Sequence, residues 1–282
     1  MKRLGFLLLL PLVAVTAWSW DDTGHMVASA VAYERLTPTA KAEANRLLAI
    51  GGDSKTQDFL GASAWADDIR RSRPNTGPWH YIDYHFRSDG QPTSNQPDSQ
   101  NVENAIKVFT GVLADRTQPD AQRADALRFL MHFVEDSHQP LHCVSRDSDE
   151  YPQGDRGGNE FSIVAPDGLS PVPHNLHALW DEGAGLFPHY RRPLSADSET
   201  AIYALADRLA AQYGAHEAKM ADDLNEHDWT QEGLKLAKNK VYGLTEGATP
   251  DPSYLAMVQA VAGQRIVLAG MRLAHLLNKL LG

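Results

Sequence analysis

The sequence predicts a mostly α, single-domain multi-helix bundle with a small β-hairpin, on three observations. Apolar residues recur at helical spacing through most of the 282 residues, while strand-like alternation is scarce. No internal repeat, coiled coil or long linker divides the chain. A hydrophobic share of 43% with 22% charged residues is ordinary for a globular chain able to bury a core.

The elements follow in order. Lys2 and Arg3 precede an apolar run from Leu4 to Val15 that is short for a membrane span and ends in small residues. Residues 1–19 are therefore expected to be a secretory signal peptide, with cleavage after Ala17 or after Ser19, and residues 20–282 the folded domain. No later stretch reads as transmembrane. A helix at 23–36 has Thr23 as its candidate N-cap, and Thr37-Pro38 opens a second that runs through Arg46-Leu47-Leu48. A third covers 58–71 and stops before the Pro74 to Pro78 turn. Residues 87–100, rich in Ser, Asp, Gly, Pro and Gln, read as a solvated loop. Helices are expected at 101–115 and 119–138, the second ended by Gln139-Pro140. The hairpin is placed at Phe161 to Val164 with its turn at Asp167-Gly168. Further helices fall at 175–185, 195–213, 216–240 and 252–280. The last begins at Asp251-Pro252 and carries an apolar stripe of Leu255, Val258, Ala262, Ile266, Ala269, Leu273 and Leu277.

With 26 Lys+Arg against 36 Asp+Glu, the formal charge of −10 argues against a basic phosphate-gripping surface. Loss of Lys2 and Arg3 with the leader makes the mature chain more acidic still. Cys143 is the only cysteine, so an exported chain must be stabilised without an internal disulfide, by packing or by bound metal. Cys143 itself reads as a small buried hydrophobe.

The histidines carry the functional signal. They recur in four segments with Asp, Trp or Asn nearby, Trp20 to His25, Trp79 to Asp83, His132 to His142, and His174 to Asp181, and a fifth segment, Trp65 to Arg70, adds aspartates beside a tryptophan. His132 and Asp136 are four apart, as are His177 and Asp181, so each pair leaves one helix face and can close on one ion. His142 follows the first pair just beyond the helix-ending Pro140. The flanks Phe129, Leu130, Phe133, Val134, Leu176 and Leu179 bury those helices, and imidazole or carboxylate on a buried face needs partners that a metal supplies.

From Trp20 to Asp181 these segments resemble, in order and spacing, the S1/P1 family of zinc-dependent nucleases. The C-terminal helix, with Gln264-Arg265 and Ala269-Gly270, is similar too. The resemblance implies the helical fold shared with zinc phospholipases C and three Zn²⁺ ions. One would be held by Asp67, His80, His132 and Asp136, and a second by the amino nitrogen and carbonyl of Trp20, His25 and the shared Asp136. The third would take His142, His177 and Asp181. Asp67 and Asp136 would carry catalysis. The donor chemistry agrees, because imidazoles, carboxylates and an amine without thiolate suit Zn²⁺. Three dications outweigh three aspartates, so the acidic surface argues only against tight binding of long duplex DNA.

The same resemblance implies an exported, periplasmic or secreted endonuclease that cleaves single-stranded DNA and RNA to 5′-phosphates and also acts as a 3′-nucleotidase. It would be a monomer with no stable membrane association. No protein nucleophile is required: activated water attacks phosphorus in line and the 3′ oxygen departs. Arg70, three residues after Asp67, is expected on phosphate oxygens, and Asn159 in Gly157-Gly158-Asn159 on the substrate. Asp83 either orients His80 or caps the loop before Tyr84. Trp65, Trp79 and Trp180 are expected to pack beneath the metals, and His85, His138, His174, His189, His216, His227 and His275 to be surface or core residues. Two rivals remain: a zinc phospholipase C, disfavoured by Asp181 where that group resembles a Glu, and a closed, non-catalytic zinc store.

Overall fold

Caps and prolines set most element boundaries in the computed structural model, which describes residues 20–282; the expected signal peptide lies outside the described residues. Helix α1 spans Asp22–Glu34 and starts one residue earlier than expected, because Asp21 rather than Thr23 caps it, accepting from Gly24 N at 2.7 Å. Thr23 instead donates to the Pro188 carbonyl at 2.6 Å. Helix α2 is Pro38–Leu48, capped by Thr37. The expected third helix is two: α3, Phe59–Ala62, and α4, Trp65–Ile69. Ser63 turns its hydroxyl back onto the Leu60 carbonyl at 2.7 Å, a local bond that competes with helix continuation.

A 3-10 turn over Pro74–His80 leads into strand β1, Tyr84–Arg87. Helices α5, Val102–Ala114, and α6, Asp120–Asp136, lie near their expected places. A second 3-10 turn, Pro140–Cys143, precedes β2, Val144–Asp147. Then come α7, Leu176–Asp181, and α8, Ala196–Glu217. Helix α9, Glu226–Asn239, begins ten residues later than the expected 216, because α8 runs on to Glu217 and Asn225 caps the next helix. Last is α10, Pro252–Leu281, whose Asp251 cap accepts from Tyr254 N at 2.8 Å.

The core gathers around α10. Its length and apolarity suffice for a membrane span, yet its apolar side chains pack into clusters shared with α1, α2, α6 and α8. Gly270 lets α10 approach α1 closely: a methyl there would come within 2.5 Å of the Ala28 carbonyl. Helix α6 is buried on all sides over its second half, where Phe129, Leu130, Met131, Phe133 and Val134 surround His132, Glu135 and Asp136. Those polar groups therefore sit in the core and must find partners there.

The β structure corrects the expected hairpin. Residues 161–164 form no strand; Ser162 makes only an isolated antiparallel bridge to Asn175. The one two-stranded sheet among the described residues pairs β1 with β2 in parallel, Tyr84 opposite Val144. Ile82 N donates to His142 O at 2.8 Å at its head, so the sheet fastens the chain leaving His80 to the chain leaving His142. A parallel pair needs a long crossover, here α5 and α6, and adjacent-strand turn signals carry no trace of it.

Candidate metal centre

The C-terminal end of α6 delivers His132 and Asp136 into a buried junction of α1, α4, the 3-10 turns and α7. Four other segments meet them there. Asp136 divides its oxygens: Oδ2 lies 3.0 Å from His80 Nδ1 and 3.1 Å from His132 Nε2, while Oδ1 lies 3.6 Å from His25 Nε2 and 3.3 Å from His142 Nδ1. Asp67 joins the first side, with Oδ1 3.6 Å from His80 Nδ1 and Oδ2 3.8 Å from His132 Nε2. His25 stacks on His132 with ring centroids 4.0 Å apart, and one donor atom each of His25, Asp67 and His132 lie within 4.8 Å of one another. A second focus holds His142, His177 and Asp181, with His177 Nε2 3.3 Å from Asp181 Oδ2 and the two imidazoles stacked at 5.1 Å.

Most of these imidazoles are aimed by a hydrogen bond from the opposite nitrogen. His132 Nδ1 meets the Ser63 carbonyl at 2.6 Å, the carbonyl that the break between α3 and α4 sets free. His25 Nδ1 meets Glu135 Oε2 at 2.7 Å, and Glu135 Oε1 accepts from Ser29. His177 Nδ1 meets the Gly157 carbonyl at 2.7 Å, and His142 Nδ1 the His80 carbonyl at 3.0 Å. An Nδ1–H held this way leaves the Nε2 lone pair for a ligand. Gln139 donates to Asp181 Oδ1 at 2.7 Å and so turns Oδ2 toward His177. Glu135, Ser63, Gly157 and Gln139 escape a reading by spacing; a glutamate directly after the apolar pair Phe133-Val134 is the one available signal.

Electrostatics follow from burial. Burial would lower the pKa of His132, but Asp136 and Asp67 outweigh it and hold it at about 9. Burial would raise Asp67, yet His132 and His80 bring it down to about 2. Asp136 is driven well below the usual carboxylate range, against burial, by His132 and His142. Burial takes His80 down to about 4 and His25 well below normal, so these imidazoles are neutral. Asp181 is pushed well up by burial. His80 Nε2, Asp136 Oδ1 and Asp181 Oδ2 are buried with no hydrogen-bond partner. Neutral imidazoles, ionised carboxylates and the orphaned oxygens Asp136 Oδ1 and Asp181 Oδ2 fit a group of dications, which satisfies those oxygens and displaces the proton on His132.

The remaining expected residues lie around this cluster. Trp20 is buried just before the cap of α1; its indole donates to the Glu135 carbonyl at 3.1 Å and its ring packs edge-on against Phe187. Arg70 ends α4 at the rim, its Nη1 3.2 Å from Asp67 Oδ1. Asn159 closes its own turn, donating through Nδ2 to the Arg156 carbonyl at 2.8 Å, beside the Gly157–Gly158 backbone that holds His177. Asp83 makes no hydrogen bond with His80; burial lifts its pKa to about 6. Trp65 and Trp79 pack edge-on against Phe129, and Trp180 is buried with its indole on Tyr254. Cys143 is buried, and burial pushes its thiol up. His138 is a core residue, its Nε2 3.0 Å from the Arg272 guanidinium.

Comparison with known proteins agrees across the same span. The S1/P1 Nuclease family model matches residues 20–282. Endonuclease 2 of Arabidopsis thaliana is 27% identical over 286 residues, covering 93% of this chain and 91% of its own. Nuclease P1 of Penicillium citrinum is 30% identical over 173 residues, 57% of each chain. Nuclease S1 of Aspergillus oryzae is 27% identical over 194 residues, covering 61% of this chain and 59% of its own.

Proposed function

Because the chain belongs to the S1/P1 nuclease family, a family of zinc-dependent phosphodiester hydrolases, we propose that the buried His/Asp cluster is its catalytic centre and holds three zinc ions. Asp67, His80, His132 and Asp136 hold the first, and the Trp20 amine and carbonyl, His25 and Asp136 the second. His142, His177 and Asp181 hold the third. The observation that carries this reading is Asp136, whose two oxygens face two separate groups of imidazoles. Bound zinc supplies Lewis acidity at a phosphoryl oxygen and makes water acidic enough to attack.

The chain's own residues do the rest. Asp136 and Asp67 keep the attacking side anionic and fixed, while Ser63, Glu135 and Gly157 hold the imidazoles in one orientation. Arg70, already leaning on Asp67 at the rim, offers its guanidinium to the phosphate as charge develops. Asn159 sits next to the His177 ligand loop, within the reach of the same substrate. Such a recessed cluster admits a phosphate best from a strand whose bases can splay, which favours single-stranded DNA and RNA over duplex. The products are 5′-phosphates, and 3′-nucleotides are substrates as well. The protein is an exported monomer, cleaved after Ser19, without stable membrane association.

Zinc-loaded protein beginning at Trp20 is expected to cleave single-stranded DNA and RNA, to cut duplex slowly and to leave phosphatidylcholine intact. Hydrolysis of phosphatidylcholine alone would give the lipase reading, which the nuclease relatives disfavour. Full zinc content with no hydrolysis would give the closed store. Arg70→Ala is expected to lower kcat/KM by about ten- to a thousandfold at unchanged zinc content, the range of one charge-stabilising donor. Zinc loss in that variant would overturn the substrate role.

A further inference from the structure

Behind the catalytic cluster, Asp21, Glu182 and His189 bring one donor atom each within 4.8 Å of one another. Their positions in the chain explain the meeting. Asp21 follows Trp20, Glu182 follows Asp181, and the Asp21 amide donates to the Asp181 carbonyl at 3.3 Å. The segment 186–194 then passes over the start of α1. Phe187 packs on Trp20, Pro188 accepts from Thr23, and Arg192 pairs with Asp22 at 2.9 Å and Asp68 at 2.8 Å. His189 lies between these anchors, its Nε2 2.8 Å from Glu182 Oε2 and its Nδ1 3.4 Å from Asp21 Oδ2.

The two carboxylates differ in what they lack. Asp21 Oδ1 is spent on the α1 cap, but Oδ2 is buried and has no hydrogen-bond donor. Arg192 does not serve it, being committed to Asp22 and Asp68. Two carboxylates set around one imidazole repel each other, and a cation among them offsets that repulsion. One imidazole and two carboxylates are a borderline donor set that suits Zn²⁺, with water completing the shell. The ring of His189 is 47% exposed, which leaves an entry path from solvent.

We propose that Asp21, Glu182 and His189 form a further zinc site, separate from the catalytic cluster, that ties the segment ending in Trp20 to the segment bearing Asp181. The ion there is structural. It touches no reacting atom, and it fixes two neighbouring ligand segments relative to one another. Sequence spacing could not reveal it, since its members stand at 21, 182 and 189 and no two share a helix face.

His189→Ala and Glu182→Gln test it in protein beginning at Trp20, equilibrated with Zn²⁺ and desalted. Each variant is expected to carry about one zinc ion per chain fewer than the parent by mass spectrometry, with its nuclease rate within about threefold. Anomalous diffraction of the parent at the zinc edge is expected to show a peak between Glu182 and Asp21. Equal zinc in parent and variants, with no anomalous peak there, would overturn the site. Because the readout is a difference, it stands whatever total the catalytic cluster binds; a lower total in the parent with the same loss in the variants would count against the three-ion centre alone.

Discussion

Asp136→Asn is expected to abolish nuclease activity, lowering kcat/KM by about a thousandfold or more, and to strip zinc and lower the melting temperature together. Both oxygens of this carboxylate are in use. Oδ2 faces His80 and His132 at 3.0 and 3.1 Å, and Oδ1 faces His25 and His142 at 3.6 and 3.3 Å. The amide of Asn is the same size but presents an NH₂ to one of these pairs and removes the charge that balances the site. The imidazoles then crowd one another with one fewer anion between them, at a point where Asp136, His25, His80 and His132 are all buried. Stability and catalysis should fall as one, because binding of the ions is also folding free energy. Rate on single-stranded DNA, zinc per chain and calorimetric melting check the three effects. An Asp136→Asn protein with full zinc and unchanged melting would refute the shared-ligand arrangement.

The second large effect concerns a single added residue. If Trp20 chelates through its own amine, one residue placed before it converts that amine to a planar amide without a free lone pair. The structure leaves Trp20 little room to compensate: its indole is bonded to the Glu135 carbonyl, its ring rests on Phe187, and the next amide is bonded to Asp181. Protein extended by one residue is therefore expected to bind one zinc ion fewer and to lose about a hundredfold or more in rate beside protein starting at Trp20. Cleavage after Ser19 becomes the step that completes the site, and mass spectrometry of exported protein should find Trp20 first. Equal zinc and rate in the two forms would sink this, as would a mature N-terminus at Trp18 from cleavage after Ala17.

Much of this centre was legible in the sequence because its strongest constraints are local. The spacing of His132 to Asp136 and of His177 to Asp181 fixes which side chains leave one helix face, and Thr37-Pro38, Gln139-Pro140 and Asp251-Pro252 fix where helices begin or end. What escaped is set by contacts between distant segments. The break at Ser63 looks like unbroken helix until His132, on another helix, claims the freed carbonyl. The parallel pairing of Tyr84 with Val144 leaves no turn signal, and a Gly-containing apolar stretch at 161–168 offered a false one. Asp21 displaced Thr23 as the α1 cap because Thr23 is drawn to Pro188, a partner far along the chain.

The packing of α1 against α10 through the Ala28–Gly270 approach has a consequence for biosynthesis. Helix α1 leaves the ribosome among the first folded elements, and its main neighbour is the last helix made. Until α10 arrives, the apolar side of α1 formed by Val27, Ala28 and Val31 has only part of its packing, against α3 and α8, and the contacts that close the domain span almost its whole length. High contact order of this kind slows folding and prolongs exposure of apolar surface. Only when α10 is complete does α1, the helix that carries His25, acquire its main packing partner.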